Sequence, residues 1–390
     1  MRARIAASRL RLLSALFTLR KVVEYRFGGT LLSRLAVLAV ATSAVAAAVA
    51  VPSTAHAQEF VPCSATALRN AITRANTTPG PSTLYLSFGC TYQLTVADNP
   101  GNGLPLVTSE IDIVGNKSTI RRASTAPNFR ILEVKGPGGN LTLRNLTVRD
   151  GRSTSGGAGG GGLAVDTGSR ATLDTVEVTR NQSLATGPGG GIVSGGTLIL
   201  RNSTVSFNNA TESGGGVEAF GPTTLSNTTI NGNTARNIGG GIEAYATLTL
   251  TNSRVTDNAD GEEAGGISIR TDATATLTDT LVRGNTTAFE RDGGPAGGGI
   301  LNRGALTLER TTVFANRSLG DGGQGGGITN SGAGAAATLR NSSVTHNQSR
   351  SAPGGVYNDG GTVSLTATPV TDNLPSNCSG SSPAVTGCVN

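Results

Sequence analysis

The chain has 390 residues, 56 of them glycine, no tryptophan and a formal net charge of +6. The glycines show no three-residue period, which argues against collagen, and aliphatic residues that stay in register argue against disorder. Eight of the 31 basic residues but only one of the 25 acidic residues precede Gln58, so the remainder has a net charge of −1. The positive charge therefore belongs to the N-terminal segment, and nucleic-acid binding loses its main support.

Residues 1–57 have the pattern of an export signal. Basic residues recur up to Arg34, residues 35–51 are apolar and alanine-rich, and Ala55-His56-Ala57 is a small-residue cleavage site. We predict cleavage after Ala57 and a secreted, extracellular or surface-associated protein of residues 58–390 with no membrane span. The basic region is long for a signal, so two alternatives stay open: an extended signal, or a true start downstream of Met1.

A short amphipathic helix is predicted next, within residues 58–100. Ser64 can cap it, and the apolar residues that follow at helical spacing, from Leu68 to Ala75, share one face. Four strand-like runs then occupy residues 83–88, 92–96, 111–114 and 129–134.

Repeats of about 25–30 residues dominate the rest of the chain. In the copy that begins at Leu250, Val255 stands five residues later, Asn258 eight residues later, and Ile267 closes the unit after two glycines. Apolar and polar residues alternate before Asn258, which is the period of a β-strand. Short strands without a helical stripe fit a parallel β-helix better than a propeller or a leucine-rich repeat. We predict a solenoid of about eleven coils, about 4.8 Å apart, over residues 101–375.

The asparagine of each repeat is predicted to form a structural ladder at a sharp turn. Asparagine tolerates a left-handed backbone, and stacked amide side chains can hydrogen-bond along the axis. The positions are Asn181, Asn208, Asn233, Asn258, Asn285, Asn316, Asn347 and Asn373. Because the end of a solenoid must be covered, we expect the N-terminal helix to cap the first coil and residues 376–390 to cap the last.

Four cysteines follow the signal segment, and export favours disulfides. Three pairings are conceivable. Cys63–Cys90 and Cys378–Cys388 are favoured because each pair is local and the two ends of a solenoid are far apart. The spacings do not fit a zinc site, so no metal site is assigned.

Three features resemble secreted bacterial right-handed parallel β-helix repeat proteins with a pectin-lyase-like fold. They are the segment from Cys63 to Asn76, the run from Phe88 to Leu94, and the Gly-Gly-Gly-Ile/Val coils, which are similar to repeats of polymorphic outer-membrane proteins. The resemblance covers most of residues 58–390. It implies an all-β, right-handed parallel β-helix (solenoid) with an N-terminal capping α-helix, secretion, and a surface or carbohydrate role.

No catalytic residue is assigned from the sequence. The resemblance implies that hydrolases of this fold would carry paired aspartates with a Gly-His-Gly segment, and lyases an aspartate cluster for Ca²⁺ with an arginine base. No Gly-His-Gly occurs, and His346, the one histidine after Ala57, is predicted to be an exposed turn residue.

Two acidic clusters form the candidate ligand- or cation-binding face. Glu218 and Glu243 share one position in successive repeats, directly after an inward aliphatic residue, so we expect both to point outward. They are then either solvated surface charges or ligands for Ca²⁺ or carbohydrate. The second cluster lies in loops of consecutive coils, which emerge on one face of a solenoid. It consists of Glu262, Glu263, Glu290, Arg291, Asp292 and Asp321. The best aromatic candidates for stacking on sugars are Tyr245, Phe289 and Tyr357.

These observations favour a secreted, non-catalytic, adhesin-like scaffold that presents loops to a cell-surface or matrix polysaccharide. The alternative is a polysaccharide lyase or glycoside hydrolase of the pectin-lyase-like fold. A purely structural component of the cell envelope is a third hypothesis. No cofactor is expected apart from the Ca²⁺ alternative.

Overall fold

The computed structural model describes residues 56–154, 159–288, 296–320 and 322–390. The described residues form a right-handed parallel β-helix of about 11 turns, with parallel pairing between successive coils. The predicted fold class is confirmed. All but the last two residues of the predicted signal segment lie outside the described residues.

Three sheets run along the solenoid. The twenty-stranded sheet contains β1 (Ala57–Val61), β2 (Ser82–Leu86), β3 (Thr91–Leu94), β4 (Glu110–Arg122), β6 (Asn140–Arg149), β9 (Arg170–Thr179), β12 (Thr197–Arg201), β13 (Thr204–Ser206), β16 (Thr223–Ser226), β17 (Thr229–Asn231), β20 (Leu248–Thr251), β21 (Arg254–Thr256), β24 (Thr274–Thr278), β25 (Leu281–Arg283), β28 (Ala305–Glu309), β29 (Thr312–Phe314), β32 (Ala336–Arg340), β33 (Ser343–Thr345), β36 (Thr362–Thr366) and β37 (Val370–Thr371).

The other two sheets are built of short strands. The eight-stranded sheet contains β7 (Arg152–Ser153), β10 (Gln182–Ser183), β14 (Asn209–Ala210), β18 (Thr234–Ala235), β22 (Ala259–Asp260), β26 (Thr286–Thr287), β30 (Arg317–Ser318) and β34 (Gln348–Ser349). The nine-stranded sheet contains β5 (Leu132–Val134), β8 (Leu163–Val165), β11 (Ile192–Ser194), β15 (Val217–Ala219), β19 (Ile242–Ala244), β23 (Ile267–Ile269), β27 (Ile300–Asn302), β31 (Ile328–Ser331) and β35 (Val356–Asp359).

The repeat register fixes which residues stack. Leu250, Val255 and Ile267 are fully buried, and each pairs with an aliphatic residue at the same repeat position in the neighbouring coils. Each of these side chains contributes about 1.5–3 kcal/mol by leaving water. Glycine lets successive coils approach closely. A Cβ at Gly216, for example, would lie 2.6 Å from the carbonyl oxygen of Gly241.

Helix α1 (Ala65–Thr77) packs against β1, β3 and β4 at the N-terminal end. The hydroxyl of Ser64 accepts a hydrogen bond from the N–H of Ala67, and Leu68 and Ile72 lie on the buried face. Among the described residues, no helix has the length and apolarity needed to cross a membrane. One disulfide joins Cys63 to Cys90 beside the helix, and the other joins Cys378 to Cys388 near the C-terminus. Two disulfides are typical of an oxidising compartment.

The asparagine ladder is a continuous column of buried amides. Asn258 donates from Nδ2 to Oδ1 of Asn285 at 2.9 Å and to the carbonyl oxygen of Ile230 at 3.0 Å. Its own Oδ1 accepts from both the N–H and the Nδ2 of Asn233. The left-handed conformation was predicted at the asparagine and is found one residue earlier, as at Asp257 (φ 54°). Because the preceding residue makes the turn, the asparagine side chain is free to point inward and bond along the axis.

Candidate functional site

Glu218 and Glu243 lie side by side on adjacent strands of the nine-stranded sheet, followed in register by Ser268. We expected outward, solvated side chains. Instead, Glu218 is 3% exposed and Glu243 is fully buried. The reason is that the loop before each strand folds over the outer face of the sheet. A Cβ at Gly214 would lie 2.7 Å from Cβ of Glu218, so the loop backbone rests directly on this side chain.

Arg270 is the principal partner of this pair. Its guanidinium forms an ion pair with Glu243 and, through Nη1, lies 3.6 Å from Oε2 of Glu263. The same Glu263 oxygen accepts from Nη1 of Arg303 at 2.6 Å. A chain of alternating charge therefore runs from the buried carboxyl of Glu243 to the rim of the sheet. The positive charge beside Glu243 thus comes from Arg270, two residues after its register partner Ser268.

Burial shifts the pKa of both carboxyls upward. Burial, followed by the charge of Glu243, raises the pKa of Glu218 to about 9. Burial also raises the pKa of Glu243, and Arg270 opposes that shift. One carboxylate oxygen of each glutamate, and the hydroxyl of Ser268, have no hydrogen-bond partner among the described residues. At neutral pH Glu218 is therefore a neutral acid next to a carboxyl that is paired with Arg270.

A row of side chains that reach the surface, here called the exposed row, lies beside the buried column, and its two arginines are only partly exposed, at 23% and 21% of their side chains. Phe220, Tyr245, Arg270 and Arg303 each directly follow a strand of the nine-stranded sheet. The rings of Phe220 and Tyr245 stack with centroids 4.7 Å apart, and Cζ of Arg270 lies 5.5 Å from the centroid of Tyr245. Phe220 is 46% exposed and Tyr245 is 40% exposed. A row of two aromatic rings and two guanidinium groups thus forms the surface above the buried acids.

A cavity of about 390 Å³ opens beside Phe220. Gly195 stands at the position of Phe220 one coil earlier, because Ser194 pairs with Ala219, and its missing side chain leaves the space. Arg130 and Glu133 line the cavity and form an ion pair at 2.7 Å. Asp166 lines it as well. Tyr245 covers one face of the Phe220 ring, so the other face is the wall of this cavity.

The two described members of the predicted loop cluster, Glu262 and Glu263, have different surroundings. Glu263 belongs to the arginine chain described above, whereas Glu262 lines a separate cleft of about 860 Å³ beside the eight-stranded sheet. Glu290, Arg291, Asp292 and Asp321 lie outside the described residues, as does Phe289. Tyr357 takes the register position of Glu218 five coils further on and does not join the exposed row.

Asp260 is a site residue that the sequence analysis missed. It is buried in the floor of the larger cleft, at a position where neighbouring coils carry alanine or threonine. Its Oδ2 accepts from the N–H groups of Glu263 at 2.7 Å and Ala264 at 2.6 Å. Burial raises its pKa to about 7. The signal was in the sequence: an aspartate stands where the register otherwise places small residues.

No set of three or more histidine, cysteine or acidic side chains in the described ranges could hold a metal ion. Around Glu218 and Glu243, the guanidinium of Arg270 supplies the positive charge that the Ca²⁺ alternative required.

No protein-family model matches the chain, and no curated protein is similar to it. Two solved chains match. One is the A-module of Azotobacter vinelandii mannuronan C-5 epimerase AlgE4, at 15% identity and a TM-score of 0.43, covering 80% of this chain and 94% of that one. At this distance the match assigns no role to any residue of the site.

Proposed function

We propose that this protein is a secreted, carbohydrate-binding β-helix and that it binds a polysaccharide on the outer face of the nine-stranded sheet. The observation that carries the proposal is the free face of Phe220 lining a cavity flanked by the Arg130–Glu133 pair. An aromatic face with a few convergent polar groups is the usual composition of a small-molecule site, and about 300–1,000 Å³ is its usual size.

In this proposal a sugar ring lies on Phe220, and its hydroxyls bond to the charged groups that line the cavity. Glu133 and Asp166 can accept hydrogen bonds from hydroxyls. The buried Arg130 holds the Glu133 carboxylate in place by donating to its Oε2 at 2.7 Å. The chain would then continue over Tyr245 and Arg270 along the exposed row. The buried Glu218–Glu243 pair holds Arg270 and Tyr245 in place from below, since Tyr245 and Arg270 both bond to Glu243. This is an adhesin-like role without turnover.

A second candidate is a polysaccharide lyase or glycoside hydrolase. The observation in its favour is the pKa of about 9 at Glu218, which keeps a carboxylic acid protonated at neutral pH beside an arginine and a tyrosine. Raised-pKa acids of this kind donate protons to leaving groups in glycosidases. Near-complete burial counts against this role, because a proton donor must come within reach of the scissile bond.

One experiment separates the two candidates. The protein, expressed from its full sequence, is offered a panel of acidic and neutral polysaccharides with and without Ca²⁺, and both retention and product release are measured. Retention without release, lost in Phe220→Ala, supports the binding role. Release that disappears in Glu218→Gln supports the enzyme. Phe60→Ala is the matched control, because Phe60 is an exposed phenylalanine at the N-terminal end of the solenoid.

A further inference from the structure

Another cavity of about 390 Å³ lies on a different side of the solenoid from the Phe220 cavity and is lined mainly by arginines. It lies at the corner between the twenty-stranded and eight-stranded sheets, next to the asparagine-ladder position of the first coils. We call it the arginine pocket. Its lining residues are Arg121, Arg122, Ser124, Arg149, Asp150, Arg152, Arg180, Gln182 and Phe207.

The strand register brings these arginines together from consecutive coils. Arg121 of β4 pairs with Arg149 of β6, and Arg152 of β7 pairs with Gln182 of β10. Arg180 occupies the left-handed corner position (φ 55°), and Phe207 occupies the same position one coil later (φ 53°). The solenoid therefore stacks four guanidinium groups and one aromatic ring around a single opening, together with the buried Arg122.

Charge in the arginine pocket is far from balanced. Five arginines face one carboxylate, that of Asp150. Asp150 accepts from Nε of Arg149 at 2.9 Å and lies 3.4 Å from Nε of Arg121. Neither Arg152 nor Arg180 takes part in an ion pair with any carboxylate in the described ranges. The excess is local, since residues 58–390 as a whole carry a net charge of −1.

Arg122 shows that this crowding affects the protein. It is buried, and it donates from Nε to the carbonyl oxygen of Asp150 at 2.9 Å and from Nη1 to that of Ala126 at 2.6 Å. Burial, followed by the charges of Arg152 and Arg121, lowers the pKa of its guanidinium. A bound anion would relieve this repulsion. Stability alone gives no reason to gather like charges in this way.

Phe207 specifies more than an anion. Its side chain is 59% exposed at the edge of the pocket. A Cβ at Gly232 would lie 2.8 Å from Cε1 of Phe207, so the ring rests against the glycine of the next coil. A free inorganic anion would not pack on an exposed aromatic ring. A sugar ring would, because its C–H face packs on an aromatic face while its charged substituent reaches the guanidinium groups.

We propose that the arginine pocket binds an anionic sugar residue, with its carboxylate or sulfate group held by Arg152 and Arg180 and its ring packed on Phe207. Arginine suits both groups, because its planar fork donates two parallel hydrogen bonds to a pair of oxygens. The volume accommodates one sugar residue of a longer chain. This site is separate from the Phe220 face and selects acidic polysaccharides.

The test compares three oligosaccharides of equal length by calorimetric titration: oligogalacturonate, a sulfated oligosaccharide and a neutral glucan. We expect the protein to bind one or both acidic ligands and not the neutral one. Arg152→Ala/Arg180→Ala should weaken acidic-ligand binding at least about tenfold, the loss expected from removing two charge-assisted hydrogen bonds. Whichever acidic ligand binds tighter identifies the substituent as carboxylate or sulfate.

The matched control removes the same charge elsewhere. Arg254 and Arg340 are exposed arginines outside the pocket, so Arg254→Ala/Arg340→Ala should leave affinity within about twofold. Phe207→Ala should weaken the sugar but not inorganic sulfate. Alanine is tolerated at this corner, because Ala315 holds the same backbone conformation there (φ 53°).

Three results would overturn the proposal: equal affinity in the Arg152/Arg180 variant and the native protein, equal loss in the Arg254/Arg340 control, or inorganic sulfate binding as tightly as the acidic sugars. The Phe220→Ala variant shows which of the two proposed sites binds the acidic sugar. Acidic-sugar binding that survives Phe220→Ala but fails in the Arg152/Arg180 variant supports the arginine pocket, even if the proposed Phe220 site fails.

Discussion

Two of the buried polar columns in the described part of the solenoid differ in how completely their hydrogen bonds are made. The asparagine ladder repeats without interruption, and Asn258 uses both amide hydrogens and its oxygen. The column of Glu218, Glu243 and Ser268 occupies only three coils, and an oxygen of each residue lacks a partner among the described residues. Satisfied, periodic polar columns serve the fold. An interrupted column with unpaired oxygens is expected at functional or strained positions.

The largest expected effect is in the asparagine ladder. Asn258→Leu removes two donors and one acceptor and leaves buried groups on Asn233, Ile230 and Asn285 short of partners. We expect a loss of about 2–4 kcal/mol in the free energy of unfolding, measured by urea denaturation. Asn252→Ala is the control, because Asn252 also bonds along the axis but from an exposed corner. An equal loss in both variants would mean that burial does not distinguish the ladder.

The second effect concerns the partner of the glutamate pair. Arg270→Met leaves Glu243 buried without its counter-charge, which should cost about 1–3 kcal/mol at pH 8. The loss should be smaller at pH 5, where Glu243 can take up a proton instead. Thermal unfolding at the two pH values measures this difference. Arg310→Ala, which breaks an exposed pair with Asp279, should show little change at either pH.

A third prediction follows from the proton on Glu218. Folding raises its pKa from 4.5 to about 9, so its contribution to stability is complete below about pH 4.5 and is lost as the pH rises toward 9. The native protein should therefore be less stable at pH 9 than at pH 5. Glu218→Gln keeps the shape without the ionisation and should be the more stable protein at pH 9. If the urea midpoints of the two proteins changed equally between pH 5 and pH 9, the pKa of Glu218 would not be raised by folding.

The smallest effect on stability is expected at the exposed row. Phe220→Ala removes a half-exposed ring from the surface. The free energy of unfolding of this variant should therefore stay within about 1 kcal/mol of that of the native protein. Carbohydrate binding should nevertheless fall about tenfold, because stacking on an aromatic face is lost. A variant that lost stability and binding together would point to a role in folding.

The sequence predicted the parts of the molecule that repeat. Leu250, Val255 and Asn258 recur at fixed spacing, and a fixed spacing in a solenoid determines which side chains stack. Burial of Glu218 and Glu243 could not be predicted the same way. Alternation along the strand correctly placed them on the outer face, but the covering loop is set by the glycine conformation at positions such as Gly214.

The arginine pocket could not be predicted from the sequence for a different reason. Arg121, Arg149 and Arg180 lie far apart in sequence, and only the coil register shows that they meet. Two of the three also precede the regular repeats, where the aliphatic and asparagine positions are hard to align. A pocket that is built from non-repeating residues can be predicted only after the register of the coils is known.

The most direct test of the account is retention of the native protein and its Phe220→Ala variant on the polysaccharide panel, with Phe60→Ala as control. The proposed face predicts that at least one polysaccharide retains the native protein and the Phe60 variant, and releases the Phe220 variant early. Equal retention of all three proteins on every polysaccharide would contradict it, and the outer face of the nine-stranded sheet would not be the binding face.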